Sequence, residues 1–156
     1  MRKSVLAAIC LLHSSIGLAG TGAEDTHHES VVTETGKLVV NIEGFESNRG
    51  TARLLLYNSK KGYLKNPIRS RIGPIRQRRA RFELDELPLG VYAVDVYQEQ
   101  ERDARPFDFH VSTPYRPVAF SNNARIEHGE RGPPSFDNVK FSLDETELEM
   151  TLVLFK

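Results

Sequence analysis

From Lys37 onward, apolar residues recur with a period of two. Leu38, Val40 and Ile42 alternate with Val39, Asn41 and Glu43; Ala52, Leu54 and Leu56 alternate with Arg53, Leu55 and Tyr57. The same spacing recurs in Ala80, Phe82 and Leu84, in Tyr92, Val94 and Val96, and in Phe107, Phe109 and Val111. Val139, Phe141 and Leu143 follow, and Leu148, Met150, Leu152 and Leu154 close the series. Successive side chains of a strand point to opposite faces, so each run predicts a strand with one core face and one solvent face. Turn residues separate the runs and no stretch has a helical period. The pattern therefore predicts an all-β fold, an antiparallel β-sandwich of about seven strands. Ser47-Asn48-Arg49-Gly50 is expected to join the first two strands as a short hairpin loop. Leu87-Pro88-Leu89-Gly90, with proline second and glycine fourth, has the preference of a type I turn. Tyr92 is either a plain core aromatic or a corner residue whose hydroxyl bonds nearby backbone. Phe82, Tyr92, Phe107, Phe109, Phe120, Phe136 and Phe141 are expected to supply the large core contacts.

The first residues follow a different pattern. Met1-Arg2-Lys3 is positive, Val5 to Leu12 is an apolar run, and Gly17, Ala19, Gly20, Gly22 and Ala23 are small. That order predicts a secretory signal peptide over residues 1–23, cleaved after Ala19 or after Ala23. A retained anchor is the alternative, but a bilayer span needs about 20 apolar residues and this run is shorter. Cys10 follows Ile9 rather than a small residue, which disfavours a lipid-modified cysteine. Residues 24–36 are polar and acidic and are expected to form a mobile leader before a single domain over 37–156. The cleaved chain would be exported to the periplasm or the extracellular space, would keep no cysteine, and would have no transmembrane helix. Its core would hold the fold without disulfides, which a domain of this size can do.

Charge narrows the partners. The 156 residues carry 21 Lys+Arg against 21 Asp+Glu. Loss of Arg2 and Lys3 would leave 19 cations against 21 anions, which argues against nucleic acid as a partner. The cations are nevertheless clustered. Lys60, Lys61, Lys65, Arg69, Arg71, Arg76, Arg78, Arg79 and Arg81 fall within one stretch that has no acid. Asn66-Pro67 and Gly73-Pro74 are expected to interrupt regular structure there and make it an exposed connection. Lys65, Arg69, Arg71, Arg76, Arg78 and Arg79 are the candidate contacts for an anionic envelope lipid, an acidic glycan or an acidic protein surface. The alternative is internal pairing with an acidic loop at Glu99 to Asp103.

The stretch from Leu84 to Leu143 carries the most specific motifs. Leu87-Pro88-Leu89-Gly90-Val91-Tyr92 precedes a polar acidic loop. Phe120-Ser121-Asn122-Asn123-Ala124, Gly132-Pro133-Pro134-Ser135-Phe136 and Val139-Lys140-Phe141-Ser142-Leu143 follow. Together these resemble the bacterial secreted family named domain of unknown function 2141, over essentially residues 37–156. The resemblance implies an exported β-sandwich of immunoglobulin-like or transthyretin-like type and brings no known activity. Gly90, Tyr92, Ser121, Asn122, Asn123, Gly132, Pro133, Pro134 and Phe136 are the motif positions, read as structural. The family pattern after the tyrosine strand resembles a calcium loop, with alternating acids and glycines. Here Glu99, Glu101 and Asp103 keep the alternation, but Arg102 and Ala104 stand where glycines would, and Phe107 rather than Asp108 falls at the final acid. Glu99, Glu101, Asp103 and Asp108 would be the ligands of a weak calcium site. The favoured expectation is no cofactor, with Arg102 and Arg105 bonded to those carboxylates.

No motif predicts catalysis. His27, His28, His110 and His128 form no metalloprotease pattern, and Ser121 lacks a glycine-flanked nucleophile elbow. The side chains of Ser121-Asn122-Asn123 suit either a ligand-facing loop or turn capping, and the second is favoured. Gly132-Pro133-Pro134 is expected to stiffen its connection in an extended form. The expectation is a non-enzymatic binding or scaffolding module at the cell envelope. A calcium-binding module and a hydrolase with an unrecognised site are the alternatives.

Overall fold

The computed structural model describes residues 33–99, 117–126 and 132–155. The predicted signal peptide, residues 24–32 of the leader and the strand expected at Phe107 to Val111 lie outside them. Eight strands are described: β1 (Thr35–Glu43), β2 (Thr51–Tyr57), β3 (Arg69–Pro74), β4 (Arg79–Pro88), β5 (Gly90–Glu99), β6 (Val118–Phe120), β7 (Phe141–Leu143) and β8 (Glu147–Val153). A 3-10 turn (Ser121–Asn123) and one helical turn, α1 (Phe136–Val139), complete the described elements. The fold is nearly all-β, with two sheets whose pairings are mostly antiparallel. No helix among the described residues is long and apolar enough to cross a membrane.

One sheet has the order β4-β1-β8, with β4 antiparallel and β8 parallel to the central β1. The other has the order β3-β2-β5-β6, with β7 also pairing β5. The alternating residues meet in one core: Leu38, Val40 and Ile42 of β1, Leu54 and Leu56 of β2, Phe82 and Leu84 of β4, and Val94 and Val96 of β5.

A second apolar layer covers the opposite face of β2 and β5. Leu55, Tyr57, Ala93, Tyr97 and Phe120 are packed there beneath Tyr63, Phe136 and Val139. These two strands are thus buried on both faces, and the period-two reading, which gave each strand one solvent face, is corrected for them. A strand buried twice loses the polar alternation that marks a half-exposed one.

Four local expectations also change. β1 and β2 lie in different sheets, so Ser47 to Gly50 is not a hairpin loop. Alternation locates strands without choosing partners, and here both edges of β1 are taken by β4 and β8. Gly44 makes the exit from β1 at φ 86°, and Phe45 then turns into the core. Pro88 is still in strand conformation and the chain bends at Leu89, one residue later than a type I turn on Pro88-Leu89 requires. Val139 closes α1 rather than opening a strand. The basic stretch, expected as a connection, contains β3, because Pro74 is the last residue of an edge strand and removes no needed donor.

Candidate functional site

β3 and the turn into β4 place the basic residues along one side of the molecule. Arg69 donates to the Asp85 carbonyl at 2.7 Å and the Glu86 carbonyl at 3.3 Å, tying the edge of one sheet to the edge of the other. Arg78 donates from its side chain to the Phe45 carbonyl, and its backbone N–H donates to Asn48 Oδ1 at 2.7 Å. Arg79 pairs with Glu43 at 3.2 Å. Arg81 reaches Glu83 at 3.2 Å and Glu149 at 3.0 Å. Lys60 pairs with Asp137 at 2.6 Å. Lys65, Arg71 and Arg76 are exposed and have no carboxylate partner among the described residues. Internal pairing therefore exists, but its acids are Glu43, Glu83, Asp137 and Glu149. The expected partner loop supplies Glu99 alone within the described residues, and Glu99 is gripped by Arg53 at 3.0 and 3.1 Å. Glu101 and Asp103 lie outside the described residues.

The turn between β3 and β4 opens onto a shallow groove of about 520 Å³ lined by Arg76, Arg79 and Arg81, with Asn41, Glu43 and Thr151 opposite. Three acids that pair with cations of the basic stretch are held below their usual range. Hydrogen bonds from Lys37 and then Arg81 push Glu83 below its usual range. Asn41 and then Arg81 do the same for Glu149. Lys60 and Lys140 lower Asp137 to about 2.

A second cluster escaped the sequence reading. Asp95 occupies the outward phase of β5, where a solvent-facing carboxylate is expected, yet it is fully buried. Leu55 of β2 and Phe120 of β6 flank it across the sheet. Tyr57 donates to its Oδ2 at 3.3 Å, while Oδ1 and the buried Tyr63 hydroxyl have no partner among the described residues. Burial pushes the Asp95 carboxyl up to about 8 and raises Tyr57 and Tyr63 above the usual phenol range. The available signal was that Ala93, Tyr97, Leu55 and Tyr57 share the phase of Asp95, which marks that face as apolar.

The motif residues are joined to the framework. Tyr92 buries its ring and donates its hydroxyl to the Pro88 carbonyl at 2.6 Å, which is the corner alternative. Ser121 is fully buried; its Oγ accepts from the Val94 N–H at 2.9 Å and donates to the Val139 carbonyl at 2.6 Å. Asn122, with φ 59°, donates to the Lys140 carbonyl at 2.9 Å. Asn123 accepts from the Val153 N–H at 2.9 Å and donates to the Thr151 carbonyl at 3.1 Å, so its amide stands in for a neighbouring strand beside β8. Gly90 opens β5, and Gly132 and Pro133 are half-buried. Pro134 and Phe136 are buried, the latter ring 5.7 Å from Tyr63. Of the calcium candidates only Glu99 is described; Glu101, Asp103 and Asp108 lie outside the described residues. So do His27, His28, His110 and His128. Among the described residues no three His, Cys, Asp or Glu side chains form a group suited to a metal.

No curated protein and no solved structure matches the chain. One family model does, over residues 40–151, and its span includes β2 to β7, the basic groove, the buried Asp95 and every motif position. On that match the chain belongs to domain of unknown function 2141, a family described as an uncharacterized protein conserved in bacteria.

Proposed function

We propose that this protein is an exported, non-catalytic binding module of the cell envelope, built as an immunoglobulin-like or transthyretin-like sandwich, that holds an anionic partner on the cationic side formed by β3 and the β3–β4 turn. The groove carries the reading. Three arginines line one depression, and Arg76 has no acid of its own there. Guanidinium groups present planar forks that match phosphate and carboxylate, and weaker hydration makes them readier than ammonium groups to leave water for such a contact. Arg79 and Arg81 already hold Glu43 and Glu149, so Arg71 and Arg76 make the new contacts.

The test is binding of the full chain to neutral vesicles, to anionic vesicles and to an acidic peptide, at low and near-physiological salt. Binding to an anionic probe that weakens with salt and is lost in the Arg71→Glu/Arg76→Glu double variant is the expected result. Both positions are exposed and have no carboxylate partner among the described residues, so the variant should keep its fold. Undiminished binding by the folded double variant, or no binding to any anionic probe, overturns the proposal.

A further inference from the structure

The cationic side is continuous with a sheet edge that no other described strand pairs. Among the described residues β3 is the outermost strand of its sheet and pairs with β2 alone. Its ladder runs without a shift from Thr51 opposite Pro74 to Leu56 opposite Arg69. Soluble proteins blunt such edges with bulges, internal prolines or a covering segment, because a bare edge invites another strand. β3 has no bulge, its proline stands at the last position, and Ser70, Arg71 and Ile72 are exposed. Ile72 is 54% exposed, the most of any large apolar side chain among the described residues, and Ile68 just before the strand is 44% exposed.

The two faces of this edge differ in chemistry. Arg71 stands opposite Leu54, on the core-facing side of the sheet, while Ile72 stands opposite Arg53 on the outer side. Arg69 is engaged with the Asp85 and Glu86 carbonyls, so Arg71 is the strand's available cation. Lys65 and Arg76, both exposed, stand before and after β3 in the chain. A phosphate-bearing surface would use these cations but would leave the N–H and C=O groups along the edge of β3 unmatched. A second copy of this chain paired at β3 would set arginine against arginine. A single guarding charge on an edge is the ordinary device against aggregation; the exposed isoleucine beside Arg71 goes beyond that need.

We infer that β3 is a docking edge for an extended acidic polypeptide, which adds as a further strand with acidic side chains against Arg71 and β-branched apolar side chains against Ile72. The inference rests on the anionic-partner reading and narrows it to one class of partner. Main-chain hydrogen bonds would supply affinity and the alternating side chains would supply specificity.

The probe is a fluorescent peptide of alternating glutamate and valine, offered to the full chain beside anionic vesicles. Two further versions carry N-methyl groups on alternate residues, one in each phase. An added strand presents only one of its edges to β3, so one methylated version should bind about tenfold more weakly or worse and the other should bind as the parent does. Arg71→Glu and Ile72→Asp should each weaken the parent peptide. Equal binding of both methylated versions and the parent overturns strand addition and leaves the anionic-partner reading standing. Binding to vesicles without binding to any peptide does the same. Binding to neither overturns both readings.

Discussion

The carboxyl of Asp95 keeps a proton in the folded protein that it gives up in the unfolded chain. Its folded value is pushed up to about 8 by burial, against an ordinary aspartate value of about 3.9. The groups around it are the phenols of Tyr57 and Tyr63, and neither offers a positive charge. A raised acid favours the fold below its unfolded value, and that contribution is lost as pH climbs from about 4 to about 8. Asp95→Asn removes the titration and keeps the shape. We therefore expect the variant to match the parent near pH 4 and to exceed it by an amount on the order of a few kcal/mol near pH 9. Urea unfolding across that range measures the difference; parallel curves for the two proteins would contradict it. The same scale separates the arginines. Arg69 and Arg78 spend their donors on carbonyls of β4 and of the β1–β2 link, whereas Arg71 and Arg76 have no such commitment to a neighbouring element. Composition treats all of them alike.

Among the elements, β3 depends on one missing side chain. Gly73 lies beneath the Phe82 ring, and a Cβ there would stand 2.9 Å from Phe82 Cε1. Phe82 is itself packed in the core and has little room to withdraw. Gly73→Ala should therefore destabilise the protein by about 1–3 kcal/mol, seen as a lower urea midpoint with an unchanged slope. An unchanged midpoint would mean that β3 is held more loosely than its ladder with β2 implies. This glycine also explains what could be read in advance. Residues 38–42 and 80–84 announce themselves because polar positions survive on the less buried face, whereas 54–56 and 92–96, buried on both faces, show chiefly as apolar runs. β3 does neither, because its core-facing side carries two arginines and a glycine, and its last residue is a proline. The groove was visible as a density of charge along the chain, but its shape depends on Asn41, Glu43 and Thr151 from β1 and β8. The Asp95 cluster was hidden by the same alternation that located its strand. Its cover comes from Tyr63, Phe136 and Val139, which no local period connects to β5.

For the whole molecule, the distinguishing contact is the parallel pairing of β1 with β8, from Lys37 opposite Glu147 to Glu43 opposite Val153. The paired segments are separated by about 110 residues of chain, and the loop entropy must be met before the contact returns anything. Removal of residues 147–156 should therefore unfold both sheets rather than release one edge, since Leu152 and Leu154 also leave the shared core. Loss of amide dispersion in NMR spectra throughout the truncated chain is the expected observation; a dispersed spectrum for residues 51–99 would show the larger sheet to be independent. During synthesis β1 must wait for β8 before its sheet is complete. An interrupted copy then leaves the ribosome with β1 bare along one side, a substrate for proteases and chaperones rather than a partly working competitor. Placing the first and last described strands side by side makes intactness of the segment between them a condition of the fold's survival.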